Sequence, residues 1–146
     1  MLNRISILAI AIFAIFSFSS CSSWLGKVNI FPVEQDVALG KQVSQSFEQG
    51  NASVILDSSK NTVLYNYIYG IRDSILKTNL LTHKDDFAWR IRIIHNDTIQ
   101  NAFCTPGGFI YVYTGLMKYL EGEDQLAGVM GHEMAHAEKR HSTDAM

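Results

Sequence analysis

Apolar residues recur at helical spacing from the thirties onward. Val33, Val37, Gly40, Val43 and Phe47 fall on one stripe, Pro32 suits a helix entry, and Gly50 a stop. The spacing predicts a helix over about 33–48. Asn51 to Asn61 is polar and reads as a loop with a short buried touch at Val54-Ile55-Leu56. A second helix, about 62–78, carries Leu64, Tyr67, Ile68, Ile71 and Ile75 on one face. Both stripes are read as core packing. The period then changes to two: Phe87, Trp89, Ile91 and Ile93 alternate with Ala88, Arg90, Arg92 and Ile94, the pattern of a half-buried strand. His95-Asn96-Asp97 reads as a turn, Gln100–Thr105 as a short extended piece, and Pro106-Gly107-Gly108 as a tight turn. Phe109–Tyr113 is a third strand, followed by a helix from Thr114 through Leu120. The last helix starts at Gly122-Glu123-Asp124, with acidic groups where the helix dipole favours them. Leu126, Ala127, Val129, Met130, Met134 and Ala135 make it an interior helix, and Lys139, Arg140 and His141 stand near its end. Gly128 and Gly131 each cost about 1 kcal/mol relative to alanine, which predicts close approach of another backbone. The fold class is α+β, with helices on a small mixed or antiparallel sheet.

That last helix carries His132-Glu133-Met134-Ala135-His136. Residues four apart share a helical face, so His132 and His136 can hold one ion from adjacent turns. Glu133 is then placed to reach a water in the remaining coordination position. One zinc ion lowers the pKa of that water and polarises a scissile carbonyl while the glutamate removes the proton. The pattern predicts a zinc-dependent metalloendopeptidase acting on polypeptides. A catalytic zinc usually takes a third protein ligand. His141 lies five residues after His136, about 140° round a continuing helix, and would point away. His83 and His95 sit in polar, loop-like surroundings. The expectation is a third ligand, and with it the oxyanion donor, beyond Met146, the chain being the N-terminal portion of a longer domain. An extended substrate needs a strand edge, for which Gln100–Thr105 and Phe109–Tyr113 are the candidates. Gly107 and Gly108 either admit a substrate backbone or simply make a hairpin turn.

Composition changes the picture at the other end. Arg4 precedes an apolar run from Ile5 to Phe18, too short for a comfortable membrane span and suited to a secretory leader. It ends in Phe18-Ser19-Ser20-Cys21, which resembles a bacterial lipobox with Cys21 as the lipidated residue. The alternatives are an ordinary signal peptide or an uncleaved anchor. Ser22 after the cysteine resembles outer-membrane sorting, so the expectation is a lipid anchor on the periplasmic face of the outer membrane. Residues 1–20 are the leader, 21–30 a lipidated tether, and 31–146 the peptidase portion. Acylation of Cys21 leaves Cys104 without a disulfide partner, and it reads as a small buried hydrophobe. Removing Arg4 with the leader takes the formal charge from −2 to −3, which offers no footprint for nucleic acid.

Several motifs occur together in order: Asn101-Ala102-Phe103, Pro106-Gly107-Gly108, Tyr111-Val112-Tyr113-Thr114-Gly115-Leu116, then the zinc pentapeptide and Arg140-His141-Ser142. With Glu34, Leu39 and Gly40 upstream, this series resembles peptidase family forty-eight, the gluzincin group that includes the HtpX heat-shock protease and the CAAX prenyl endopeptidase. The resemblance runs from about residue 31 to 142 and implies a zincin-like fold. It implies that His132 and His136 bind zinc, that Glu133 is the general base, and that Asn101 and Ala102 lie beside bound substrate. It also implies a third ligand, a glutamate on a later helix that this sequence does not contain. Lipoprotein members of the family are similar to quality-control proteases that degrade misfolded envelope proteins. A non-proteolytic lipid-anchored chaperone or assembly module, or an inactive truncated fragment, is the competing expectation.

Overall fold

The structure is a computed structural model that describes residues 32–141; the expected leader, lipidated Cys21 and tether lie outside these residues. Its elements are helix α1 (Val33–Gly50), helix α2 (Thr62–Leu76), strands β1 (Arg90–Ile94), β2 (Ala102–Thr105) and β3 (Phe109–Tyr113), then helices α3 (Thr114–Tyr119) and α4 (Glu123–Glu138). The α+β expectation holds, with element boundaries within a few residues of the spacing-based ones.

The sheet is mixed, in the order β1-β3-β2. β1 runs parallel to β3, pairing Arg90 with Phe109 through Ile94 with Tyr113. β2 runs antiparallel to β3, pairing Ala102 with Val112 and Thr105 with Phe109. The chain reaches β2 by passing over the end of β3, where Tyr113 N–H donates to Asn101 O at 3.1 Å and Gly115 N–H to Asn96 O at 3.0 Å. Residues 54–56 cover the outer edge of β1 through Leu56 N–H to Ile93 O (2.9 Å) and His95 N–H to Val54 O (2.7 Å), as the apolar touch predicted there requires. β3 therefore has both edges bonded, which removes it as a substrate-holding edge. β2 alone keeps an edge without a strand partner among the described residues.

Both sheet faces are covered, and this explains the sequence patterns of the strands. Ile91, Ile93, Ala102, Ile110 and Val112 pack with Ile68 and Ile71 of α2 and with Leu126, Met130 and Met134 of α4. On the opposite face Ile94, Phe109 and Tyr111 meet Phe47 of α1. There the Phe47 ring stands edge-on to Tyr111 with centroids 4.7 Å apart. Central β3 is buried on both sides, so it reads as an unbroken apolar run. The polar positions of β1 are not solvated in the way alternation suggests. Arg90 and Arg92 lie under α1 and pair with Glu48, the latter at 3.4 Å. Tyr111 Oη donates to Ser44 Oγ at 2.8 Å in the same network, and burial holds its pKa above the usual phenol value. The buried stripe of α1 therefore includes Asp36, Gly40 and Ser44, whereas Val43 is exposed.

Candidate active site

Helix α4 starts from Gly122 in extended conformation with Glu123 and Asp124 in its first turn. Leu126, Met130, Met134 and Ala137 are its buried side. β2 and α2 are what this side packs against. Turning those residues inward puts His132 and His136 on the exposed side, with Glu133 half-buried between the two faces. The two imidazoles converge: His132 Nε2 and His136 Nε2 stand 2.9 Å apart, with ring centroids at 4.4 Å and planes nearly perpendicular. Glu133 is near enough to β2 for its charge to act on Cys104. Burial pushes the Cys104 thiol up to about 12, and the Glu133 carboxylate adds to the rise. The thiol is therefore protonated at neutral pH and is no nucleophile.

A metal fits the histidine pair by donor chemistry, since two imidazole nitrogens converge on one exposed spot. Among the described residues no set of three His, Cys, Asp or Glu side chains is arranged to share an ion. His83 instead pairs its ring with Asp86 at 3.0 Å and stacks on Phe87, and its main-chain N–H donates to Glu138 Oε2 at 3.0 Å. His95 sits exposed just beyond β1.

The end of α4 departs from the expectation of a continuing helix. Helical structure stops at Glu138, and Arg140 adopts a left-handed conformation with φ 55°. The chain folds back, and His141 Nδ1 comes to 2.8 Å from His136 Nδ1. Arg140 is held from across the fold by an ion pair with Asp36 of α1, and its Nη2 also donates to Pro32 O at 3.4 Å. Asp36 was legible only as a charge within an apolar stripe. The His141 contact had no sequence signal, because a left-handed stop is ordinarily written with glycine.

This geometry sits within a match to the sequence profile of peptidase family M48 that covers residues 67–146, more than half of the chain. The chain belongs to peptidase family M48. It is similar to the mitochondrial metalloendopeptidase OMA1 of Arabidopsis thaliana, 37% identical over 65 residues, which is 44% of this chain and 13% of that protein. The OMA1 of Schizosaccharomyces pombe is 42% identical over 59 residues, 40% of this chain and 17% of that protein. The beta-barrel assembly-enhancing protease of Escherichia coli K12 is 44% identical over 54 residues, 37% of this chain and 11% of that protein. The chain thus spans less than a fifth of the length of these curated relatives, each of which is a peptidase by name.

The M48 chain places its other predicted site residues as follows. Asn101 is exposed at the entry to β2, and Ala102 is buried on that strand. Because Asn101 O accepts from Tyr113 N–H, antiparallel alternation turns the main-chain N–H and C=O of Ala102 and Cys104 to the open edge. Gly107 and Gly108 are buried with φ 73° and 79° in the β2–β3 turn. The close approach they permit is taken up by the chain itself: a Cβ on Gly107 would stand 2.8 Å from Val37 Cα, and one on Gly108 3.0 Å from Trp89. These contacts favour the hairpin-turn alternative. Gly128 and Gly131 were expected to meet another backbone, yet nothing described lies within 4 Å of a Cβ at either.

Proposed function

We propose that this chain supplies the catalytic helix and the substrate strand of a zinc-dependent endopeptidase of the bacterial cell envelope. His132 and His136 would hold one zinc ion together with a third ligand from outside residues 32–141. The observation that carries the reading is the convergence of the two Nε2 atoms at 2.9 Å with Glu133 on the adjoining side of the helix. Bound there, zinc supplies Lewis acidity to a peptide carbonyl and to water. Glu133 takes the proton of the attacking water on a carboxylate oxygen and returns it to the leaving amine. An extended polypeptide adds to the open edge of β2 through the outward main-chain groups of Ala102 and Cys104, with Asn101 beside it. Gly107 and Gly108 serve that strand by holding the hairpin. Family membership and the peptidase names of the relatives support this reading. The Ile5–Phe18 run ending at Cys21 supports a leader and a lipid anchor at the outer membrane, with misfolded envelope proteins as substrates.

Glu133→Gln tests the mechanism. The expected result is loss of cleavage of an unfolded protein such as casein, with bound zinc per chain unchanged. Cleavage at the wild-type rate removes Glu133 as the base. Labelling of Cys21 by radioactive palmitate, abolished in Cys21→Ala, is the corresponding test of the anchor.

A further inference from the structure

The turn that ends α4 does more than stop a helix. Arg140 N–H donates to Ala137 O at 2.9 Å and His141 N–H to His136 O at 3.3 Å. With Arg140 left-handed, these are the paired bonds of a Schellman motif, in which the residue after the left-handed position sits over the third-last helical residue. Here those two residues are His141 and His136, so a packing contact of the motif becomes an imidazole pair. Their rings stand 5.0 Å apart, centre to centre. The Nδ1 atoms meet at 2.8 Å, while the opposite nitrogen of His136 faces His132.

A hydrogen bond between two ring nitrogens needs one N–H and one lone pair. A proton on His136 Nδ1 leaves the Nε2 lone pair toward His132, whose Nε2 then carries the shared proton until a metal takes its place. The reverse arrangement puts the His136 proton on Nε2, where it blocks a metal. We propose that His141 is a positioning residue: it accepts the Nδ1 proton of His136 and so fixes the tautomer and ring angle with which His136 presents Nε2. Outer partners of metal-binding histidines act in this way, usually as carboxylates or carbonyls. The inference rests on reading His132 and His136 as metal ligands.

The test uses the full-length protein with zinc alone as probe, titrated in competition with a chromophoric chelator at neutral pH. His141→Ala should weaken zinc binding by about 10- to 100-fold. His141→Gln, whose Oε1 can accept the same proton, should stay within about threefold of wild type. Long-range proton–nitrogen NMR on the metal-free protein should report the Nδ1–H form at His136, and a mixture of tautomers in His141→Ala. Far-UV circular dichroism checks that each variant keeps its helices, and the rescue by glutamine separates positioning from folding. Unchanged affinity in His141→Ala overturns the proposal. So does a His141→Gln variant as weak as His141→Ala, which would make His141 a direct ligand, or an Nε2–H form of His136 in the wild type. His132→Ala separates the two levels: wild-type zinc affinity in that variant defeats the ligand reading itself. Loss of zinc there, with His141→Ala unaffected, defeats only the positioning role.

Discussion

Replacing Asp36 with asparagine should loosen the end of helix α4 from a distance of more than one hundred residues in sequence. The Asp36 side chain is 2% exposed and that of Arg140 12%, so their ion pair is nearly dry. Removing one partner of a fully buried pair costs about 3–5 kcal/mol, most of it the penalty of the stranded charge. Three features lower that figure here. The guanidinium keeps a partly exposed edge and a second acceptor in Pro32 O. Asp36 Oδ1 has no hydrogen-bond partner among the described residues, so only one carboxylate oxygen is fully used. Asparagine retains an acceptor of the same shape. The expected cost of Asp36→Asn is about 2 kcal/mol. A left-handed residue other than glycine also carries about 1–2 kcal/mol of strain at Arg140, which the ion pair helps to hold. Urea denaturation followed by the fluorescence of Trp89, buried in the core, reads the stability change. A double-mutant cycle with Arg140→Met should give a coupling of about 1–2 kcal/mol. Zinc affinity should fall in parallel, because the turn that carries His141 is released. A cost under about 0.5 kcal/mol together with no coupling would refute the view that α1 clamps this turn.

Two further outcomes concern Gly40 and Cys104. A Cβ at Gly40 would lie 1.7 Å from Pro106 O, a backbone atom that cannot swing away. Gly40→Ala should therefore destabilise by about 3 kcal/mol, the upper end for overpacking, despite the better helix propensity of alanine; a wild-type urea midpoint would contradict the helix–hairpin contact. Cys104, with its thiol pushed up from 9.0 to about 12, carries about 1000-fold less thiolate near neutral pH than an ordinary cysteine. Its alkylation by iodoacetamide at pH 8 should be correspondingly slow in the folded protein and become rapid in urea. Equal rates in both conditions would contradict the packing of half-buried Cys104 against the core.

Much of this molecule could be read along the chain, because the signals involved are local. Helical and strand periodicities depend on which face each residue turns inward, and they located all seven described elements within a few residues. The pentapeptide carries its own geometry, since residues 132 and 136 share a helical face wherever the helix is placed. What local pattern could not carry was neighbourhood. Alternation in β1 suggested a solvated face, yet α1 covers it and pairs Glu48 with Arg90 and Arg92. Strand order alone made β3 central and left β2, among the described residues, with an open edge beside helix α4. Gly107 and Gly108 were read as open to a visitor or as a turn, and only the fold shows that Val37 and Trp89 pack closely against them. His141 is the sharpest case. On a continuing helix it faces away from His136, but a left-handed arginine, held by an aspartate from the first helix, returns it to that histidine. A left-handed helix stop without glycine carries no local sequence signal, and it is the folded chain that brings Asp36 to Arg140 and holds the turn.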